Sequence, residues 1–569
     1  MPPGGTALLI DPAGAPPGLV APAVKRLLPF VLATSIVLGA VVLGHDDGRV
    51  AQQMALALPG LLWLTRAGGG SRWHHAAAVL VWLWATGFVV DGIVRGYLLD
   101  TYQAAPDGSM VLGAMANTSA AESTEYLAMY WPSIARSAAW LLGAALLLAW
   151  SVRPLGLGDA GDAGTAGGAL GARRSAPRRA AVTAVSLALL VSAVGYAIKP
   201  WRSTHPWIFW PDWSRSVAAQ RAAWHDQAAS REALHERARA AQPVLGGAGP
   251  ASVMLVVSES VNRDNLALYV YGRATTPGLL GQRESLGDDL VVLRNAWSVD
   301  ASTLPALRNL FRFGIDDTQS PQHLIALARA AGYRVWWIGN QDDLGIEQLH
   351  ARLADDVQLV NRTPGRSSKS PDSAVLEPAR AALADPSPRK LIVVHLMGAH
   401  PHYRHRFPPD ANPFDDAVDA VDASLASAGR SARLRAQRGE YDAALLQQDA
   451  VVSELLAMTT RSGKPDDASA WMYLSDHGQE VAHETDHAGH SASTAAGYRI
   501  PALIWQRRPQ PTLPSGVASR PFRSDWAAWT AIDLLDIRWS AYDARRNVLD
   551  ADYAWQAPNL PAPVKSFVD

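Results

Sequence analysis

Val253-Met254-Leu255-Val256-Val257-Ser258-Glu259-Ser260 is a run of apolar and β-branched residues that stops on a polar triplet containing a carboxylate. A run this short, apolar at consecutive positions, reads as a strand buried on both faces. Four further runs share its character, at 334–338, 391–394, 471–474 and 502–505. Helical patterns lie between them at 304–313, 323–331 and 441–458. This alternation specifies an α/β domain with a largely parallel sheet, in which ligands collect at the carboxyl ends of the strands.

The chain toward the N-terminus has a different composition. Five apolar stretches, 27–44, 50–64, 76–99, 134–152 and 180–198, approach the roughly 20 residues needed to cross a bilayer. The second is the shortest, and a re-entrant segment is its alternative reading. Lys25, Arg26, Arg66, Arg72, Arg153, Arg173, Arg174, Arg178 and Arg179 sit on one side of these stretches, whereas residues 97–135 hold no Lys or Arg. The positive-inside rule then puts the N-terminus in the cytoplasm and everything after the fifth span outside it. The Gly-Ala-rich segment 155–172 reads as a flexible connector. Asp91 and Arg95, four apart near the outer end of the third span, read as a pair snorkelling at the interface, with a lipid-headgroup site as the other reading. Residues 200–242 carry Trp201, Trp207, Trp210, Trp213 and Trp224. They are expected either to lie along the outer leaflet or to pack on the soluble domain. The expected domains are therefore a five-helix membrane domain over 1–199, a linking helical segment over 200–245 and a catalytic domain over 246–569.

Composition narrows the chemistry. At 569 residues the chain is long enough for two or more structural units. A net charge of -1 offers nothing to nucleic acid, which is not among the expected partners. With no cysteine, disulfides, thiolate metal sites and cysteine nucleophiles are excluded together.

Polar clusters follow the strand-like runs. Glu259 leaves one strand, while Ser475-Asp476-His477-Gly478 leaves the run at 471–474. A carboxylate and an Asp-His pair converging at strand ends suit a cation such as Zn²⁺, which accepts oxygen and nitrogen donors. Taken alone, the Ser-Asp-His-Gly string also fits a capping Asp beside a surface His. Thr303 opens a helix with Leu304-Pro305, where backbone N–H groups favour negative charge. Its hydroxyl becomes a nucleophile when a metal or base helps remove the proton; the plain alternative is an N-cap. His395 and His400 follow a third strand, and His490 follows the Asp-His cluster, with His483 and His487 nearby. Such histidines can bind phosphate, protonate a leaving oxygen or hold a second zinc.

The ordered set of motifs resembles the phosphoethanolamine transferases of Gram-negative envelopes, within the alkaline phosphatase and sulfatase superfamily. It is carried by 257–260, by Tyr271-Gly272-Arg273-Ala274-Thr275-Thr276-Pro277, by Thr303, by Trp337-Ile338-Gly339-Asn340-Gln341, by 395–408, by Tyr441-Asp442, by 475–478 and by Gly489-His490. The resemblance implies an N-terminal five-helix transmembrane bundle followed by a sulfatase-like α/β domain in the periplasm, anchored in the bacterial inner membrane. It implies Glu259, Thr303, Asp476 and His477 as ligands of one tightly bound Zn²⁺. Thr303 would also be the residue that carries phosphoethanolamine. His400 and His490 match histidines that contact the transferred phosphoryl group or a second zinc, and His395 is a looser match. Asn117, Thr118 and Glu122 resemble a loop near the lipid-binding cleft, with Ala114 where an Asn is expected, and Asn340 joins them as a substrate-binding residue.

The implied reaction moves phosphoethanolamine from phosphatidylethanolamine to an envelope glycolipid or glycan such as lipopolysaccharide, through the covalent threonine intermediate. The absence of disulfides and the lead-in to Thr303 point away from members acting on lipid A; lipid A, core heptose and a periplasmic glucan stay open as acceptors. A glycerol-phosphate transferase resembling lipoteichoic acid synthases is the nearest rival. A sulfatase would need Cys or Ser where Thr303 stands and Arg where Leu307 stands. A catalytically silent envelope-assembly scaffold is the alternative of another class.

Overall fold

The structure, a computed structural model, describes residues 20–64, 72–102, 104–118, 120–152, 175–225, 227–247, 249–313, 322–341, 343–362, 371–464, 467–508 and 514–560. The connector expected over 155–172 lies outside the described residues, as do the basic side chains flanking the apolar stretches. The chain forms two compact units, Met1–Asp100 with Trp131–Ser214, and Thr101–Tyr130 with Arg215–Asp569.

Helices occupy all five apolar stretches: α1 (Val20–Gly44), α2 (Asp47–Trp63) and α3 (Arg72–Tyr102), then, after the short α4 (Ser109–Asn117), α5 (Ala120–Ser151) and α6 (Ser175–Ala197). Among the described residues, Trp73–Tyr102 and Glu122–Ser151 are long and apolar enough to cross a membrane, while Leu28–Gly44 and Thr183–Ala197 are shorter apolar helices. Expected at five, spans of that length and hydropathy number two among the described residues. Gln52 and Gln53 lower the hydropathy of α2, and both hydrogen-bond Thr204. The fourth stretch begins earlier than expected. Its helix opens at Ala120 because Glu122 in the first turn and the helix-compatible residues that follow it favour that start.

Asp91 and Arg95 pair at 2.8 Å, yet they do not snorkel. Both are buried, His45 Nε2 lies 3.2 Å from Asp91, and the Trp210 indole N–H donates to the same carboxylate at 3.0 Å. Arg95 also lies over the Phe209 ring, 4.1 Å from its centroid. A carboxylate surrounded by donors in this way no longer needs water.

The second unit is built on a seven-stranded sheet. Its strands are β1 (Ser252–Ser258), β2 (Leu290–Val292), β3 (Arg334–Gly339), β4 (Asp356–Leu359), β5 (Lys390–His395), β6 (Ser469–Ser475) and β7 (Ala502–Arg507), in the order β2-β7-β6-β1-β5-β3-β4. Strands β6, β1, β5, β3 and β4 run parallel; β7 is antiparallel to β6 and to β2. Alternation along β1 sends Val253, Leu255 and Val257 into one core and Met254 and Val256 into the other. Each such side chain, fully buried, contributes about 1.5–3 kcal/mol relative to exposure. One face is covered by α8 (Ala228–Ala240), which follows α7 (Pro206–His225), and by α10 (Thr303–Phe311); the other by α9 (Pro277–Leu286) and α14 (Ala432–Arg461), where α11 (Leu324–Ala330), α12 (Leu344–Leu349) and α13 (Leu376–Ala384) come between α10 and α14 in the chain. Of the Trp-rich stretch, α8 therefore packs on this unit through Leu234 and Ala238.

Candidate active site

Parallel strands β1 and β6 end side by side, pairing Ser258 with Ser475. The next residues, Glu259 and Asp476-His477, therefore leave the sheet at the same edge and are all fully buried. Glu259 Oε1 lies 3.2 Å from His477 Nε2 and 3.9 Å from His490 Nε2, and His477 Nε2 lies 3.5 Å from Asp476 Oδ2. Glu259, His477 and His490 bring ligand atoms within 4.8 Å of one another.

Thr303 meets this group from α10. Ser302, not Thr303, is the N-cap residue of that helix, which overturns the plain capping reading. The Thr303 hydroxyl instead donates toward both Glu259 oxygens, at 3.2 and 3.0 Å.

Neighbouring groups hold the cluster in place. Ser260, whose φ of 61° is left-handed, donates its hydroxyl to Glu259 at 2.7 Å and its N–H to Asp476 Oδ1 at 3.1 Å. Such a backbone costs of order 1–3 kcal/mol for a non-glycine residue and persists where the surroundings fix it. Gln341 Nε2 donates to the other Glu259 oxygen at 3.3 Å. Gly398, with φ of 55°, lies so close to the Glu259 backbone that a Cβ would sit 2.6–2.7 Å from its O and N. Asp372 fixes that turn by accepting the Met397 and Gly398 N–H groups at 2.8 Å and the Asn340 amide at 2.9 Å.

The electrostatics are those of a site that draws positive charge. Burial alone would raise Glu259, but His477, with His400 and His490, outweighs it and holds the carboxyl well below its usual range. Burial and the Glu259 carboxylate hold Asp476 well above its range. His477, despite burial, is pulled up to about 9 by Asp476 and Glu259. Burial and His477 push His490 down to about 3, and burial pushes His395 down to about 4.

The donor set fits a divalent cation. His477 Nδ1 is 2.7 Å from the Gly478 carbonyl, which can only accept, so a proton stays on Nδ1, and Nε2, facing the two carboxylates, is the nitrogen a cation would take in exchange for its proton. Asp476 Oδ2 and His477 Nε2 are buried without a hydrogen-bond partner among the described residues. Two carboxylates, an imidazole and a hydroxyl are a combination that Zn²⁺ accepts.

The other expected residues fall in three places. His490 lies 3.9 Å from Glu259, and His400 follows Ala399, whose N–H donates to the Glu259 carbonyl at 2.9 Å, whereas His483 bonds Asn265 at 2.7 Å and accepts the Val481 N–H at 3.1 Å. His395 is buried at the end of β5, its carbonyl accepting the Asn340 N–H at 2.9 Å. Asn117 accepts the Gly345 N–H of α12 at 2.8 Å, and Thr118 donates to Ala114 at 2.7 Å. Asn117 thus ties the segment 101–130 to α12, Thr118 closes the end of α4 within that segment, and Glu122 lies half-buried in the first turn of α5. Sequence reasoning did not single out Ser260, Gln341 or Asp372. Ser260 and Gln341 stood inside quoted motifs, but their roles depend on a left-handed backbone and on partners 82 residues away.

A covered, mostly parallel sheet, a carboxylate and an Asp-His pair at adjoining strand ends, and a threonine at a helix start define the alkaline phosphatase and sulfatase class of phosphoryl- and sulfuryl-handling proteins. The sulfatase family model matches residues 251–537, about half of the chain, and the chain belongs to that family. Phosphoethanolamine transferase EptC of Escherichia coli K12 is 29% identical over 323 residues, 54% of each chain. Phosphoethanolamine transferase CptA of Salmonella typhimurium is 28% identical over 326 residues, again 54% of each. The chain thus matches about half the length of these relatives. The integral membrane lipooligosaccharide phosphoethanolamine transferase A of Neisseria meningitidis has a similar structure over 93% of this chain and 98% of its own, with a TM-score of 0.57 and 17% identity. That likeness shows the fold of both units and nothing finer.

Proposed function

We propose that this chain transfers phosphoethanolamine from phosphatidylethanolamine to an envelope glycolipid or glycan, by way of a covalent adduct on Thr303. The observation that carries the reading is the Thr303 hydroxyl, 3.0 Å from Glu259 at the start of a helix, beside a buried Asp-His pair. Relatives named phosphoethanolamine transferases over the same region support it. Glu259, Thr303, Asp476 and His477 would hold the zinc ion. Zinc bound there would lower the pKa of the Thr303 hydroxyl and offset charge that develops on the phosphoryl oxygens.

The chain's own residues supply the rest. The helix start favours the negative phosphoryl group next to Thr303. Thr303 Oγ attacks phosphorus, its proton leaves, and the bond to the diacylglycerol oxygen breaks with that oxygen taking up a proton. An acceptor hydroxyl or phosphate then displaces Thr303 in a second in-line step. His490, 3.9 Å from Glu259, and His400 would move these protons. Asn117, Thr118, Glu122 and Asn340 belong to the shell that shapes the donor site, and His395 supports it from β5.

In the same reading the chain is anchored in the inner membrane by five helices, with the N-terminus cytoplasmic and residues 246–569 periplasmic. The two long apolar helices and the likeness to an integral membrane protein support this placement. The test is to incubate the purified protein with phosphatidylethanolamine and no acceptor, then map the adduct by mass spectrometry. A phosphoethanolamine on Thr303, absent from Thr303→Ala, is expected. An adduct on another residue would remove Thr303 from the mechanism.

A further inference from the structure

Arg406 and Glu125 form an ion pair at 3.4 Å whose side chains are 4% and 5% exposed. They are 281 residues apart in sequence. Glu125 lies on α5, near the start of the second of the two helices long and apolar enough to cross a membrane, and within the segment 101–130 that groups with the second unit. Arg406 lies on the loop that begins with His400. Its Nε donates to the His400 carbonyl and its Nη2 to the Pro401 carbonyl, both at 3.3 Å. That Pro401 oxygen is also 3.2 Å from His400 Nδ1. A carbonyl only accepts, so His400 carries its proton on Nδ1 there and leaves Nε2 with a lone pair. The guanidinium thus grips the His400 backbone and the Pro401 carbonyl that the His400 ring bonds.

The segment is fastened elsewhere as well. Asn117 takes the Gly345 N–H, Arg221 donates to the Ala116 and Thr118 carbonyls at 2.9 and 2.8 Å, and the Tyr130 ring stands edge-on to His402 at 6.3 Å. Among these contacts, only Arg406 also touches the backbone of His400, the residue after Ala399, whose N–H donates to the Glu259 carbonyl at 2.9 Å. A buried ion pair contributes little to net stability but is costly to break, and planar guanidinium geometry is not reproduced by lysine. A pair that spans two segments and ends on one imidazole is suited to positioning.

We propose that Glu125 and Arg406 are positioning residues that hold the His400 imidazole in its working orientation and make it depend on the seating of segment 101–130. The kinetic consequence rests on the transferase reading; the structural consequence does not. Because the chain has no cysteine, an Asn117→Cys, Gly345→Cys pair introduces the only thiols and reports seating by its disulfide yield.

The experiment uses the full chain in detergent. Glu125→Gln and Arg406→Lys are each expected to keep their zinc and to lose about tenfold in kcat with KM changed less than about twofold, as removal of a group acting in the chemical step requires. Combined with His400→Ala, each is expected to be no slower than His400→Ala alone, since the pair acts through that ring. Wild-type kcat in both variants, or losses that multiply with His400→Ala, would overturn the proposal. If Thr303 forms no adduct even in the wild type, the transferase reading fails, and the disulfide yield decides alone. A yield that falls with Glu125→Gln supports the tether, whereas an unchanged yield refutes it. If one of the two variants fails to fold, the other carries the test, Glu125→Gln keeping the shape of the side chain and Arg406→Lys its charge.

Discussion

Two buried charged clusters in the second unit are made from similar residues and have opposite characters. Around Asp442, Asn265 donates to one oxygen at 2.9 Å, and Tyr271 and Arg273 donate to the other at 2.7 and 2.9 Å. Arg273 continues to Asp419 through two further bonds at 2.8 and 3.1 Å. The cation belongs to the chain, and the carboxylate is saturated. Around Glu259 and Asp476 two carboxylates meet imidazoles, no Lys or Arg pairs with them among the described residues, and Asp476 Oδ2 is buried without a donor among the described residues. Where the chain supplies its own positive charge, the cluster is a clamp. Where the charge must be recruited, the cluster is built for chemistry.

The sharpest way to break this contrast is to truncate both. Asp476→Ala and His477→Ala are expected to lose bound zinc and at least about a thousandfold in transfer while remaining folded, because a metal ligand is removed and no clamp is broken. Metal content and transfer rate on the same preparation check this; full activity after exhaustive chelation would remove the metal from the mechanism. Asp442→Ala should do the reverse. It leaves Arg273 buried with Asp419 alone, so a loss of about 3 kcal/mol in unfolding free energy is expected, with zinc retained in whatever folds. Denaturant unfolding measures it, and a neutral result would mean that Asp442 is not a clamp. The smallest effect concerns the supports of the recruiting site. Ser260→Ala removes the 2.7 Å bond to Glu259 and is expected to weaken zinc binding by about 10–100-fold, as loss of an outer partner of a metal ligand typically does. Competition with a chelator reads that shift; unaltered affinity would leave the hydroxyl no part in orienting Glu259.

What could be read from the sequence follows the same division. Strands β1, β3, β5, β6 and β7 announced themselves because their residues are apolar on both faces, and Glu259 and Asp476-His477 stood out as charges at the ends of such runs. Strands β2 and β4 were not expected. With three and four residues, they give periodicity nothing to act on. Thr303 was visible from its place before Leu304-Pro305, although its alternative as a cap could be discarded only once Ser302 was found in that position. Asn117, Thr118 and Glu122 were read as one loop, and the helix that starts at Ala120 and runs through Glu122 was missed because polar residues interrupt its apolar pattern. The Glu125–Arg406 pair had no local signal at all, since its meaning depends on a fold that joins residues hundreds of positions apart.

The two short strands have one more consequence, for solubility. At the margins of the sheet, β2 and β4 expose only three and four residues' worth of backbone, too little for another molecule to add a strand in stable register. On β4 the Asp356 carboxylate is engaged by Arg334 of β3 through bonds of 3.0 and 2.9 Å, which puts a charged pair at the start of this edge strand. The sheet that ends in the Glu259 and Asp476-His477 cluster is therefore protected against edge-to-edge polymerisation.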